Sequence, residues 1–270
     1  MAAMEPNVEE LLAKILEKPK YEHIHEGLVR ALIQNELSKQ GSKKETLKAV
    51  SRKLHQIGAG YFTQKPDYAA WAEQLRHIPR DIHSQEARQF CLQAMKHHSS
   101  TRERLPILAS FFIETLASAS PIESILDLAC GLNPLAIAWM PGAKDIHYYG
   151  CDIFSDMCDF LNLFFEHMNL SGHFYACDLR EAHYPHSAKV AFLLKSLPCL
   201  TQLEKGLGEK ILENVPAEYV LVSYPMRSLG GRAKGMGKTY ENQFNDMAAA
   251  RSWSFERFAF KNELAFLIKK

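Results

Sequence analysis

From Ser124 onward the chain alternates short apolar runs with longer helical stretches, whereas almost no period-2 alternation precedes Leu105. That change of period constrains the fold more than any other feature. Strands separated by helices pair in parallel and need cover on both faces. The runs are 124–130, 146–152, 173–178, 190–195, 219–225 and 263–270, and helices are predicted over 132–140, 155–169 and 200–214. An α/β fold with a doubly wound sheet follows.

The first 105 residues read differently. Val8, Leu11, Leu12, Ile15 and Leu16 recur at helical spacing, and Asn7 with Glu10 is placed like a capping box, so a helix is predicted to end before Pro19. Further helices are predicted over 22–40, 43–57, 66–77 and 84–97, separated by Gly41, the GAG run at 58–60 and Pro79. The expected organisation is an all-helical domain over residues 1–105 and an α/β domain over residues 106–270.

Net charge is +1, yet residues 1–105 hold seventeen basic and thirteen acidic side chains while the remainder holds fifteen and eighteen. The surplus of positive charge points the helical half towards an anionic partner. A hydrophobic content of 47% with 23% charged residues excludes a disordered chain. The six cysteines lie mostly within apolar runs and include no CxxC pair, which suits reduced, buried thiols and a cytoplasmic location. The acidic, amphipathic beginning lacks the basic segment of a secretion signal, and the apolar stretch around Phe111 is interrupted by Glu114, so no membrane partner is expected.

Chemistry concentrates at the predicted strand ends. The first strand runs into DLACG, Asp127–Gly131; the second ends at Asp152 and the third at Asp178. Ligands of doubly wound sheets bind beyond the carboxyl ends of the strands, where a glycine lets the backbone approach and an acid after the second strand accepts ribose hydroxyls. The turn ACGLNP has one glycine and lacks GxGxxG, so the clearance a pyrophosphate needs is missing. S-adenosylmethionine, which carries ribose and adenine without phosphate, fits better than NAD or FAD. In HSSTRERL, residues 98–105, Ser99, Ser100 and Thr101 are predicted to cap a helix with Glu103 in its first turn, leaving Arg104 for the cleft and a methionine carboxylate. His97 and His98 are adjacent, about 100° apart on a helix, which disfavours one shared metal. No metal site is expected.

Two basic segments remain. MRSLGGRAKGMGK, residues 226–238, carries Arg227, Arg232, Lys234 and Lys238 with four glycines and no acid, a composition suited to gripping phosphates. KKETLKAVSRK presents Lys43, Lys44, Lys48, Arg52 and Lys53 against Glu45, and suits either a solvated helix face or an RNA backbone.

HSSTRERL, LDLACGLNPLA, Asp152, LLKSLPCL and SYPMRSLGGRAKGM together resemble the 16S rRNA (guanine-N7) methyltransferases of aminoglycoside resistance, from about residue 8 to the end of the chain. The resemblance implies a helical ribosome-docking domain followed by a Rossmann-like methyltransferase domain. It also implies S-adenosylmethionine as cofactor and guanine 1405 of 16S rRNA in the 30S subunit as target. It assigns the methionine end of the cofactor to His98, Ser99, Ser100 and Arg104, the first turn to Ala129 and Gly131, and the ribose to Asp152. The adenine region falls to Asp178 and Leu179, the wall after the fourth strand to Leu194, and Tyr61 reaches the cofactor. Lys195, Arg227 and Arg232 match positions that handle the RNA or the target base. Where several relatives carry Glu after LP-x-L, this chain has Thr201, with Glu204 three residues on. A monomer acting on the 30S subunit, with no DNA partner, is the expected form. The alternatives are a small-molecule methyltransferase, which has no use for the basic glycine-rich segment, and a non-catalytic ribosome-binding protein, which has no use for the cofactor site.

Overall fold

The structure, a computed structural model, describes residues 5–39, 41–181, 184, 187–226 and 236–270. The helical half consists of α1 (Glu5–Leu16), α2 (Glu26–Leu37), α3 (Lys43–Ile57), α4 (Tyr68–Leu75), α5 (Gln85–Met95) and the short α6 (Ser99–Arg104). Helix α1 begins at Glu5, so Asn7 lies inside the first turn and not at the predicted cap. A true capping box opens α3, where Ser42 and Glu45 satisfy each other's backbone amides. Helix α7 (Leu108–Thr115) leads into the sheet.

The α/β half follows as β1 (Ser124–Leu128), β2 (His147–Asp152), α8 (Ser155–His167), β3 (Gly172–Ala176), β4 (Ala188–Leu194), α9 (Leu197–Leu203), α10 (Leu207–Asn214), β5 (Ala217–Pro225), α11 (Met236–Ala249), β6 (Ser254–Ala259) and β7 (Glu263–Lys269). The strand order is β3-β2-β1-β4-β5-β7-β6. The first five strands are parallel, and β7 inserts antiparallel between β5 and β6. The chain therefore winds outward from β1 in both directions, which puts the switch point between β1 and β4.

Two predicted elements differ, and one strand has no counterpart in the sequence pattern. The stretch 132–140 is a 3-10 helix, Asn133–Trp139, opened by Pro134. The single helix predicted over 200–214 is two, α9 and α10, because Gly206 takes φ +83° and turns the chain between them. Strand β6 was not predicted, since SFERFA is an exposed edge with no apolar run to betray it.

Alternation along the strands divides the core between the two faces. Ile125, Tyr148, Phe174, Phe192 and Leu221 meet α8 and the helical half in a continuous apolar cluster that also takes in Leu11, Leu28, Val50 and Phe90. Leu126, Leu128, Ala191, Val220, Val222 and Phe266 meet α9, α10 and α11 on the other face. The helical half is also stitched to the end of β2 by backbone bonds, from His25 N to Ile153 O at 2.7 Å and from Ser155 N to His23 O at 2.8 Å. Among the described residues no helix is long and apolar enough to cross a membrane.

Candidate cofactor site

The turn after β1 is tightly wound. Ala129 and Gly131 both occupy the left-handed region, at φ +56° and +52°. A Cβ at Gly131 would stand 2.8 Å from the His98 ring, so glycine is required there both for conformation and for contact. The Gly131 amide donates to Asp152 Oδ2 at 2.9 Å, and the Ile153 amide donates to Oδ1 at 2.7 Å. The turn after the first strand and the acid ending the second are thus one unit. Burial raises the Asp152 carboxyl above its ordinary range, against the lowering effect of these backbone donors.

Beyond this turn lies a pocket of about 830 Å³, its open mouth included. Tyr61, His98, Ser100, Arg104, Ala129, Asp152, Asp178, Leu179, Leu194 and Lys195 all line it. Of the residues assigned to the cofactor from the sequence, Ser99 and Gly131 stand behind the lining rather than in it. Leu28, Ile57, Phe62 and Phe154 also line the pocket and carried no signal in the sequence, while Asn133 and Cys199 belong to the motifs ACGLNP and LLKSLPCL. Leu28, Ile57 and Phe62 come from the helical half, which therefore closes the pocket as well as flanking it.

His98 is the backbone N-cap of α6, and Thr101 Oγ1 donates to the carbonyls of Met95 and His98. The predicted hydroxyl cap from Ser99–Thr101 is thus replaced, because these residues already lie within the helix. The His98 ring stacks on Tyr61 at 5.5 Å and meets the edge of Phe62 at 5.0 Å. Burial, with the positive charges of Lys195, Arg104 and Arg102, brings its pKa down to about 3, so the imidazole is neutral.

Arg104 is 1% exposed. Its Nε and Nη2 donate to Glu263 at 3.0 and 2.6 Å, Nη1 donates to Asn133 Oδ1 at 2.7 Å, and the guanidinium lies 4.7 Å over the Phe111 ring. Asn133 in turn donates to Asp127, which also accepts from Tyr148 Oη at 2.6 Å. The arginine predicted for the cleft does reach it, held from behind by a carboxylate 159 residues away.

Lys195 follows β4 with φ +59° and is 4% exposed. Its ammonium donates to Glu103 Oε2 at 2.9 Å and to the Ser100 carbonyl at 3.2 Å, and stands 3.4 Å from Glu263. The ammonium of Lys195 is thus buried among acceptors at the pocket and not presented on the open surface. It belongs to the pocket wall. Left-handed φ values at Ala129 and Lys195, flanking the switch point, are strain of the kind that gathers at ligand sites. Asp178 accepts from the Arg180 backbone amide at 3.0 Å and pairs with its guanidinium.

The residues fit S-adenosylmethionine. His98 Nδ1 and Ser196 Oγ are buried at the pocket with no hydrogen-bond partner among the described residues, as groups awaiting a polar ligand would be. Among the described residues no group of three or more His, Cys, Asp and Glu is placed to hold a metal ion.

On α3, Lys44, Lys48 and Arg52 share one exposed face at four-residue spacing and form no ion pair among the described residues. The other two differ from expectation: Lys43 is tied to Glu10 at 2.5 Å, and Lys53 stands 4.0 Å from Glu36 on its half-buried flank. Lys238 is exposed on the first turn of α11, while Arg227, Arg232 and Lys234 lie outside the described residues.

Comparison with known proteins places this geometry. Residues 17–267 match the family described as Ribosomal RNA methyltransferase (FmrO). The chain is 32% identical over 268 residues to a 16S rRNA (guanine(1405)-N(7))-methyltransferase of Micromonospora rosea, covering 97% of both chains. It is 30% identical to an enzyme of the same name from Serratia marcescens, covering 98% of this chain and 99% of that one. The crystal structure of 16S rRNA methyltransferase RmtF with S-adenosyl-L-homocysteine superposes with a TM-score of 0.81 at 27% identity, covering 98% of each chain.

Proposed function

The chain belongs to the FmrO family of S-adenosylmethionine-dependent ribosomal RNA methyltransferases, and from that membership we propose that it methylates N7 of guanine 1405 of 16S rRNA within the 30S subunit. The added methyl group and its fixed positive charge oppose the binding of cationic 4,6-disubstituted deoxystreptamine aminoglycosides, so the cellular consequence is resistance to them. The observation that carries this reading is the pocket at the β1–β4 switch point. Its His98, Ser100 and Arg104 side suits an amino-acid end, and its Asp152 and Asp178 side suits a nucleoside.

S-adenosylmethionine supplies an electrophilic methyl group on a sulfonium centre. Guanine N7 presents a lone pair and bears no proton, so the chain needs no general base. Its residues bind and orient: Asp152 accepts ribose hydroxyls, Arg104 and Ser100 hold the methionine end, and neutral His98 adds no positive charge beside the sulfonium. Alignment of nucleophile and methyl at ~3 to 3.5 Å is what such a site contributes to rate. N7 lies in the deep, narrow major groove of A-form RNA, so the guanine leaves its stack to reach the pocket. The exposed face of Lys44, Lys48 and Arg52 meets the RNA backbone.

The test incubates purified protein and labelled S-adenosylmethionine with intact 30S subunits and with free 16S rRNA, and maps product by borohydride and aniline cleavage. Cleavage at guanine 1405, dependent on the subunit, supports the proposal. A host producing the protein then resists kanamycin and gentamicin with unchanged streptomycin sensitivity. Methylation of a different nucleotide, or of free small acceptors without ribosomes, refutes it.

A further inference from the structure

A second cavity adjoins the cofactor pocket. It spans about 1130 Å³ with its open side included, and shares Tyr61, Ser100, Lys195 and Cys199 with the cofactor pocket. Its far wall adds Glu103, Pro198 and Tyr240, an acid among flat rings. Glu103 lines this cavity and not the cofactor pocket, whereas Lys195 lines both.

The two charged groups are joined, Lys195 Nζ to Glu103 Oε2 at 2.9 Å. Lys195 also donates to the Ser100 carbonyl, and its third N–H makes no hydrogen bond among the described residues, with Glu263 standing 3.4 Å from the ammonium. Glu103 Oε1 accepts no hydrogen bond among the described residues, and its side chain is 29% exposed. The Glu103 carbonyl accepts from Asn262 Nδ2 at 3.1 Å, which anchors this turn of α6 to the β6–β7 connection. The cavity thus offers a donor nearest the cofactor and an acceptor one step further out.

That order matches one purine edge. Around guanine, N7 is followed by O6, an acceptor, then by N1–H and the N2 amine, both donors. With N7 at the cofactor pocket, O6 falls to Lys195 and the N1–H and N2 edge to Glu103. Adenine reverses the order, with its N6 amine facing the ammonium and its unprotonated N1 facing the carboxylate. We propose that Glu103 reads the Watson–Crick edge of the extruded guanine in this cavity, with Lys195 on O6, and so determines the choice of guanine over adenine. The inference rests on the proposed function and adds to it a residue that reads the base.

The experiment compares the unsubstituted protein with Glu103→Gln under single-turnover conditions, on 30S subunits carrying guanine or adenine at position 1405, with S-adenosylhomocysteine affinity measured by calorimetry. Loss of a well-made contact to a base edge corresponds to about 10- to 100-fold in discrimination. The expected result is a fall of that size on guanine, a reduced ratio of guanine to adenine rates because the amide can donate to adenine N1, and cofactor affinity within twofold. A guanine rate within twofold of the parent overturns the assignment. So does an equal fall on both bases, or a parallel loss of cofactor affinity, either of which makes Glu103 a support for Lys195 alone. A parent that methylates no ribosomal guanine overturns the proposed function and this assignment together, while the other outcomes bear on Glu103 only.

Discussion

Glu263→Gln tests the buried charge cluster behind the cofactor pocket. Glu263 is fully buried and accepts from Arg104 at 3.0 and 2.6 Å and from Ser223 Oγ at 2.6 Å, with Lys195 at 3.4 Å. Burial pushes its carboxyl up, but the charges of Arg104 and Lys195 outweigh burial and hold it below the ordinary value. The substitution keeps the volume and removes the negative charge between two buried cations. Breaking one side of a buried ion pair costs about 3 to 5 kcal/mol, since the partner's charge stays desolvated. At about 2 to 4 °C per kcal/mol for a chain of this size, the melting temperature should fall by roughly 6 to 20 °C. Thermal unfolding followed by circular dichroism at pH 7.5 measures this. The sign of the pH dependence is also set. A depressed carboxyl stabilises the fold above its ordinary pKa of 4.5 and loses that contribution as pH falls through the folded value, so parent and variant converge in acid. A fall of less than about 1 kcal/mol at pH 7.5, or a gap that widens in acid, refutes the reasoning.

Gly131→Ala places a Cβ 2.8 Å from the His98 ring at φ +52°, and should weaken S-adenosylhomocysteine binding at least about tenfold by calorimetry for a loss of about 1.4 kcal/mol; unchanged affinity would show that His98 yields freely. Asp127, pushed up to about 7 by burial, has a folded pKa above its ordinary 3.8, so its contribution is full below the ordinary value and is lost as pH rises towards 7. Urea midpoints of Asp127→Asn should therefore gain on the parent between pH 4.5 and pH 7.5, by an amount on the order of a few kcal/mol; a constant gap refutes the shift. Replacing Lys44, Lys48 and Arg52 together by Ala should reduce the salt-dependence slope of 30S binding by roughly 2 to 3, one per lost phosphate contact, with cofactor affinity unchanged; an unaltered slope removes this face from the RNA interface.

The elements and strand-end acids of this chain were legible because their signals are local. Period 3.6 over 43–57 and runs such as VAFLLK need no partner to be recognised; Asp152 ends β2 as predicted, while Asp178, predicted to end the third strand, stands two residues beyond the end of β3 at Ala176. Strand β6 was hidden because an exposed edge has no apolar run, and the break in 200–214 because Gly206 acts through one dihedral angle. Lys195 was legible only through the family resemblance, and its burial against Glu103 and the Ser100 carbonyl depends on contacts more than ninety residues away in the chain.

Read locally, the chain yields most of its helices and strands, the turn DLACG after β1 and the strand-end acids Asp152 and Asp178, since each depends on neighbours a few residues away. Only the tertiary structure decided that Glu263 would hold Arg104 across 159 residues, that Leu28, Ile57 and Phe62 would close the cofactor pocket, and that Glu103 and Lys195 would share a second cavity. Those pairings arise where β7 turns back antiparallel beside β5 and the helical half folds over one face of the sheet. No local pattern records which distant segments a long-range crossing will bring together.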